Sequence, residues 1–144
     1  MKYAGRYFED VQVGDEVTPL VKGPIQQIQL TRYAGASGDF NPIHQDPEFA
    51  RNAGMGDVFA HGMLSMGFLG QALTDWAGAG RVCRFGVRFA ALVRLKDTVT
   101  CTGRVVSKSS KDDAHLVELE VWAQNQRGEK VVTGKATVAL PSRA

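Results

Sequence analysis

The plainest periodicity in the chain is a two-residue alternation in its second half. Val117, Leu119, Val121 and Ala123 alternate with the polar side, where Glu118 and Glu120 stand, as in a strand with one buried and one wet face. The same alternation predicts strands near Arg81 to Phe89, Thr98 to Ser107, His115 to Gln124 and Lys130 to Leu140. Asn125-Gln126-Arg127-Gly128-Glu129 is a short turn, so successive strands are expected to pair as antiparallel hairpins.

The first half is mixed. Gly14-Asp15 signals a turn before a short extended segment near Glu16 to Val21. A helix is predicted from about Gln27 to Ala36, and Asn41-Pro42 then forms a turn, because a residue before proline is biased away from helical backbone. Asp46 is a good N-cap, Pro47 suits a first helical position and Gly54 can end this second, short helix. Gly62 to Ala77 is apolar on nearly every side, which predicts a helix enclosed by the rest of the protein. Gly67 and Gly70 within it permit close approach of a sheet. A buried helix followed by an antiparallel sheet able to wrap it is an α+β architecture.

With 144 residues, 44% of them hydrophobic and 22% charged, the chain fits a single domain spanning 1–144. The formal net charge of +2, with Lys and Arg scattered, gives no nucleic-acid stripe, so no nucleic-acid partner is expected. No apolar run has the form of a signal-peptide core or a membrane span, so a cytoplasmic location and no membrane partner are expected. Cys83 and Cys101 fall in strand-like segments and are expected to be buried, reduced thiols.

Chemistry concentrates in Ser37-Gly38-Asp39-Phe40-Asn41-Pro42-Ile43-His44. A carboxylate and an imidazole five residues apart across a proline-fixed turn can address one small volume, and such a pair can take a proton from water and deliver one to carbon. Each also has an ordinary reading: Asp39 as a turn-former bonding its own backbone, His44 as a semi-buried histidine. In Ala60-His61-Gly62-Met63 an extended segment enters the buried helix. A helix N-terminus presents unpaired N–H groups suited to an oxygen that becomes negative, and the Gly62 N–H is the natural donor. His61 reads as structural, since the adjacent glycine can serve without it. His44, His61 and His115 lack the sequence spacing of a zinc site, so no metal and no cofactor are assigned.

Taken together, Tyr33-Ala34-Gly35-Ala36-Ser37-Gly38-Asp39-Phe40-Asn41-Pro42-Ile43-His44 and Ala50 closely resemble the hydratase motif of the MaoC-like family, which includes (R)-specific enoyl-CoA hydratases. The resemblance extends over nearly the whole chain, through Val13-Gly14-Asp15, Ala60-His61-Gly62-Met63-Leu64, Val87-Arg88-Phe89 and Val138-Ala139-Leu140. Around Ser65-Met66-Gly67 it is most similar to the catalytic subunit of actinobacterial (3R)-hydroxyacyl-carrier-protein dehydratases. The resemblance implies a hot-dog fold, with the sheet wrapped around the helix from Gly62 to Ala77. It implies reversible hydration of 2-enoyl thioesters, or dehydration of (R)-3-hydroxyacyl thioesters, carried by coenzyme A or acyl carrier protein. Asp39 and His44 would hold the water and move its protons, Asn41 would support the turn, and the Gly62 N–H would bind the thioester oxygen. A homodimer joined through sheet edges is implied, with a heterodimer as the alternative assembly. One departure is Gly67, where some relatives carry a serine that bonds the catalytic aspartate; Ser65, two residues earlier on a helix, is expected to point elsewhere.

Two other functions compete. A thioesterase of the same fold would direct water at the carbonyl carbon, for which the Asp-x-Asn-Pro-x-His turn gives no reason. A non-catalytic subunit of a heterodimeric dehydratase would be expected to lack the Asp or the His, and both are present. Arg84, Arg88, Arg94 and Lys96 either edge a mouth for phosphates or an acidic carrier protein, or simply solvate a strand face.

Overall fold

The alternating segments form the sheet. In the computed structural model, which describes residues 6–144, a 3-10 turn at Phe8–Asp10 precedes strand β1 (Glu16–Lys22) and helix α1 (Gln27–Ser37). A second 3-10 turn at Pro42–His44, helix α2 (Pro47–Asn52) and the long helix α3 (Gly62–Ala77) follow. Strands β2 (Val82–Phe89), β3 (Val99–Lys111), β4 (Ala114–Asn125) and β5 (Lys130–Ala139) complete the chain. Residues 1–5, which begin the stretch read for targeting signals, lie outside the described residues.

The strands make one antiparallel sheet in the order β1-β3-β4-β5-β2. The β3–β4 hairpin is longer than the alternation predicted, because Asp112 and Asp113 both take positive φ, 48° and 64°, the handedness a two-residue hairpin turn requires. At the next hairpin the Asn125 side chain accepts the N–H groups of Arg127 and Glu129. The turn is thereby fixed by its first residue.

Glycines let the sheet curve. Val17, Gly103, Val121, Gly134 and Val87 form one row across all five strands. A Cβ on Gly134 would lie 2.2 Å from the Gly86 carbonyl oxygen, and one on Gly103 would lie 2.6 Å from that of Glu120. Backbones close this tightly only where the side chain is absent. The curved inner face, with Val99, Cys101 and Val105 of β3, Val117 and Leu119 of β4, and Val132, Ala136 and Val138 of β5, receives Leu64, Phe68, Leu69, Ala72, Leu73 and Trp76 of α3 in one core cluster.

Two expectations change here. The helix α3 is not enclosed all round: Met63, Gly67, Gln71 and Asp75, four residues apart, form an exposed stripe, with Met63 55% exposed. That stripe faces away from the sheet, and its composition of glycine and flexible or polar side chains fits. Cys83 is exposed rather than buried, because it sits on β2, the edge strand. Cys101 is buried as expected, and desolvation pushes its thiol up to about 12. Ser65 is buried and lines the cavity described next.

Candidate active site

The site is assembled from loops held by α1. Gln27 donates from its side chain to the His44 carbonyl at 3.0 Å and to the Gln45 side chain at 3.3 Å, and Thr31 donates to the same Gln45 oxygen at 2.9 Å. Gly38, in the left-handed region with φ 77°, ends α1. The Asp39 N–H donates to Ser37 Oγ, the Asn41 N–H to Asp39 Oδ1, and the Ile43 N–H to Asn41 Oδ1. Asn41 thus caps the Pro42–His44 turn, and proline at the first turn position costs no hydrogen bond. The consequence is a rigid backbone presenting Asp39 and His44 from its two ends.

Their side chains converge: His44 Nε2 stands 4.0 Å from Asp39 Oδ2. His44 is nearly buried while the Asp39 carboxylate is half exposed. His44 Nδ1 lies 2.7 Å from the Phe59 carbonyl, which can only accept, so Nδ1 carries the proton and Nε2 turns its lone pair toward Asp39. The two groups are too far apart for a direct hydrogen bond but correctly spaced to share one water.

A third residue joins them. His61, 1% exposed, stacks on His44 with ring centroids 3.9 Å apart and planes inclined by 28°. Tyr33 also meets the His61 ring edge-on at 4.8 Å. His61 Nε2 lies 3.2 Å from the backbone carbonyl of Asp39 and donates to it, tying the loop that carries the carboxylate to the ring beneath His44. Burial, reinforced by the neighbouring His44, holds the His61 pKa below the ordinary imidazole value against the opposing pull of Asp39. It is therefore a neutral ring at pH 7.

Asp39 and His44 line a cavity of about 410 Å³, whose walls include Ile43, Phe59, Leu92, Val93 and Val132. Gly62 and Met63 bring the N-terminus of α3 into the same space. His61, the N-cap, makes no side-chain cap hydrogen bond, so the first N–H groups of the helix are left to face the cavity. A Cβ on Gly62 would lie 3.1 Å from the Phe89 ring. The cavity is of ligand-binding size, apolar with a few convergent polar groups. Of the basic residues considered for a mouth, Arg94 is engaged elsewhere, donating to the Met55 and Asp57 carbonyls at 2.7 and 3.0 Å. Among the described residues no helix is long and apolar enough to cross a membrane.

The MaoC like domain matches residues 9–127 of this chain. The chain belongs to this family. It is 34% identical over 139 residues to an (R)-specific enoyl-CoA hydratase of Rhodospirillum rubrum, covering 95% of this chain and 93% of that protein. It is 30% identical to a mitochondrial 3-hydroxyacyl-acyl-carrier-protein dehydratase of Arabidopsis thaliana, covering 78% of this chain and 69% of that one. The structure of the R-hydratase PhaJ1 from Pseudomonas aeruginosa superposes with a TM-score of 0.84 at 28% identity, covering 95% of this chain and 86% of that one. The curved five-stranded sheet around α3 is the hot-dog fold of MaoC-like hydratases.

Asp39, Asn41, His44 and Gly62 all line the one cavity. His61 lies behind this lining: the sequence gives it a structural place, and the fold adds that its ring stacks on His44. Ser65 and Gly67 point apart, as their spacing on a helix predicts: Ser65 lines the cavity and Gly67 lies on the exposed stripe. The signal for Ser65 is helical spacing: Gly62 and Ser65, three apart, share a face of α3.

Proposed function

We propose that this MaoC-like chain is a hydro-lyase that reversibly hydrates 2-enoyl thioesters of coenzyme A or acyl carrier protein to (R)-3-hydroxyacyl thioesters. The observation that carries the reading is the 4.0 Å separation of His44 Nε2 and Asp39 Oδ2 beside an open helix N-terminus in an apolar cavity. A water bridging the pair gives a proton to the Nε2 lone pair as its oxygen bonds to C3. The double-bond electrons move toward C2, and the thioester oxygen takes on negative charge against the Gly62 N–H. The imidazolium returns the proton to C2, which restores the catalyst and completes the addition of one water. Asn41 acts by holding the turn, and no cofactor takes part in these steps.

The whole chain acts as one domain and pairs as a homodimer. Among the described residues the edge strand β2 pairs with β5 alone, and an open sheet edge needs pairing or protection. Light scattering that showed only monomer at micromolar concentration would count against this assembly.

The reaction is tested with crotonyl-CoA, following loss of enoyl absorbance alongside release of free thiol, with chiral analysis of the product. Hydration to the R isomer without thiol release is expected; thiol release would mean hydrolysis, and the S isomer would reverse the face of attack. Asp39→Asn and His44→Gln should each lower kcat by about 10²-fold or more. The double variant should lose little further, because both act on one proton-transfer unit.

A further inference from the structure

Asp39, His44 and His61 each offer one ligand atom, and the three atoms lie within 4.8 Å of one another. We propose that these residues form a site for a transition-metal ion of the Zn²⁺ or Co²⁺ kind, and that its occupancy shuts off turnover. The inhibitory half rests on the hydratase reading above; the binding half does not.

The donor set decides the ion. Two imidazoles and a carboxylate suit Zn²⁺, Co²⁺ and Ni²⁺, whereas Mg²⁺ and Ca²⁺ take oxygen ligands. The His44 ring is also prepared for coordination. His44 Nδ1–H is held by the Phe59 carbonyl at 2.7 Å, the backbone arrangement that fixes the tautomer and orientation of metal-ligating histidines. Its Nε2 lone pair is therefore already presented. His61 is buried beside His44, with its Nε2 toward the loop that carries Asp39. Its Nδ1 has no hydrogen-bond partner, and moving the ring proton from Nε2 to Nδ1 frees Nε2 at the expense of one neutral hydrogen bond to the Asp39 carbonyl.

Closing the site takes two movements: the carboxylate rotates, and the His61 ring tilts out of its 28° stack on His44 so that the two in-plane lone pairs converge. Ligands on a tetrahedral zinc, each about 2.1 Å from it, stand about 3.4 Å apart. His44 Nε2 and Asp39 Oδ2 are at 4.0 Å, and the half-exposed carboxylate is free to rotate the remaining distance. The fourth position opens to the cavity, where a water or the thioester can enter. An ion seated there occupies the space between carboxylate and imidazole and ties up the Nε2 lone pair, so the water to be added loses both its position and its base.

The test uses the full chain stripped of metal with a chelator. Its hydratase activity is measured first, in chelator, so that failure of the catalytic reading is seen separately. Co²⁺ is then titrated, following its visible absorption bands, and Zn²⁺ by calorimetry. Expected are one ion bound per chain, loss of turnover with the same concentration dependence, and recovery on adding excess chelator. Mg²⁺ and Ca²⁺ should do neither. His61→Phe and Asp39→Asn should each weaken Co²⁺ binding at least about tenfold, while His115→Ala, remote on β4, should leave it unchanged. Absence of saturable binding to active enzyme, or binding that survives His61→Phe undiminished, overturns the site. Stoichiometric binding with turnover intact overturns its inhibitory role.

Discussion

Replacing His61 by phenylalanine separates positioning from packing. The new ring keeps the stack on His44 at 3.9 Å and the edge contact with Tyr33 at 4.8 Å; what it removes is the N–H donated to the Asp39 carbonyl over 3.2 Å. An acceptor left unsatisfied in the interior costs about 1–3 kcal/mol. Asp39 is exposed, so water can replace the lost donor and the low end applies, about 1 kcal/mol. For a chain of this length that lowers Tm by roughly 3–4 °C. The effect on turnover should be larger. Only one water fits between His44 Nε2 and Asp39 Oδ2 at 4.0 Å, and a displacement of about 1 Å at such a site costs about 10²-fold in rate. His61→Phe should therefore lower kcat 10- to 100-fold with KM nearly unchanged, on the order of 1.4–2.7 kcal/mol of transition-state stabilisation. His61→Gln, which keeps an N–H donor, should recover part of the loss. Acidity gives a second readout. Burial lowers the His61 pKa in the folded state, so its stability contribution is complete above the unfolded value of about 6.5 and is lost as pH falls below it. Melts from pH 7.5 to 5 should show the wild type losing more Tm than His61→Phe. A His61→Phe variant with kcat within twofold of wild type would refute the positioning argument, whatever its stability.

Three other outcomes follow from the packing. Gly62→Ala places a methyl 3.1 Å from the half-exposed Phe89 ring; the ring can swing aside, so kcat/KM should fall roughly tenfold or more with little change in Tm, and Phe89→Ala in the same chain should restore part of it. Gly134→Ala meets backbone, the Gly86 carbonyl at 2.2 Å, which cannot give. It should cost at least about 3 kcal/mol, the upper end for overpacking, seen as a Tm about 10 °C lower or as insoluble protein. A thiol reagent at pH 8 should modify one cysteine of the native chain quickly, Cys83, while Cys101, buried with its thiol pushed up to about 12, reacts only on unfolding. Two fast thiols would contradict the burial of Cys101.

The legible features of this chain are those written in local pattern. The alternation in β4 named its buried face correctly, and Val117, Leu119, Val121 and Ala123 are all in the core. Asp46 caps α2, accepting the Glu48 and Phe49 N–H groups, and Asn41 and Pro42 set the turn between Asp39 and His44. What the sequence concealed required curvature. No spacing rule connects Gly103 to Gly134, yet they sit in one row across the sheet, and only there does the absence of their side chains acquire a purpose. The exposed stripe on α3 was hidden in the same way. Glycine and methionine count as apolar in any pattern, and Gly67 with Met63 made the helix look buried on all sides until the sheet was seen to wrap only part of it.

The same limit explains His61. A histidine beside a helix-opening glycine has no local reason to meet another histidine seventeen positions earlier, and its role is visible only after the Asp39 loop folds down on the start of α3. There one buried, neutral ring supports His44 from below and holds the Asp39 backbone from the side. The proposed catalytic pair is thereby tied to the N-terminus of α3, where the thioester oxygen would be bound. On that proposal base and oxyanion donor move together as one rigid unit, so a substitution that loosens His61 should disturb proton transfer and oxygen binding jointly. A loss confined to KM would argue that the two are held independently.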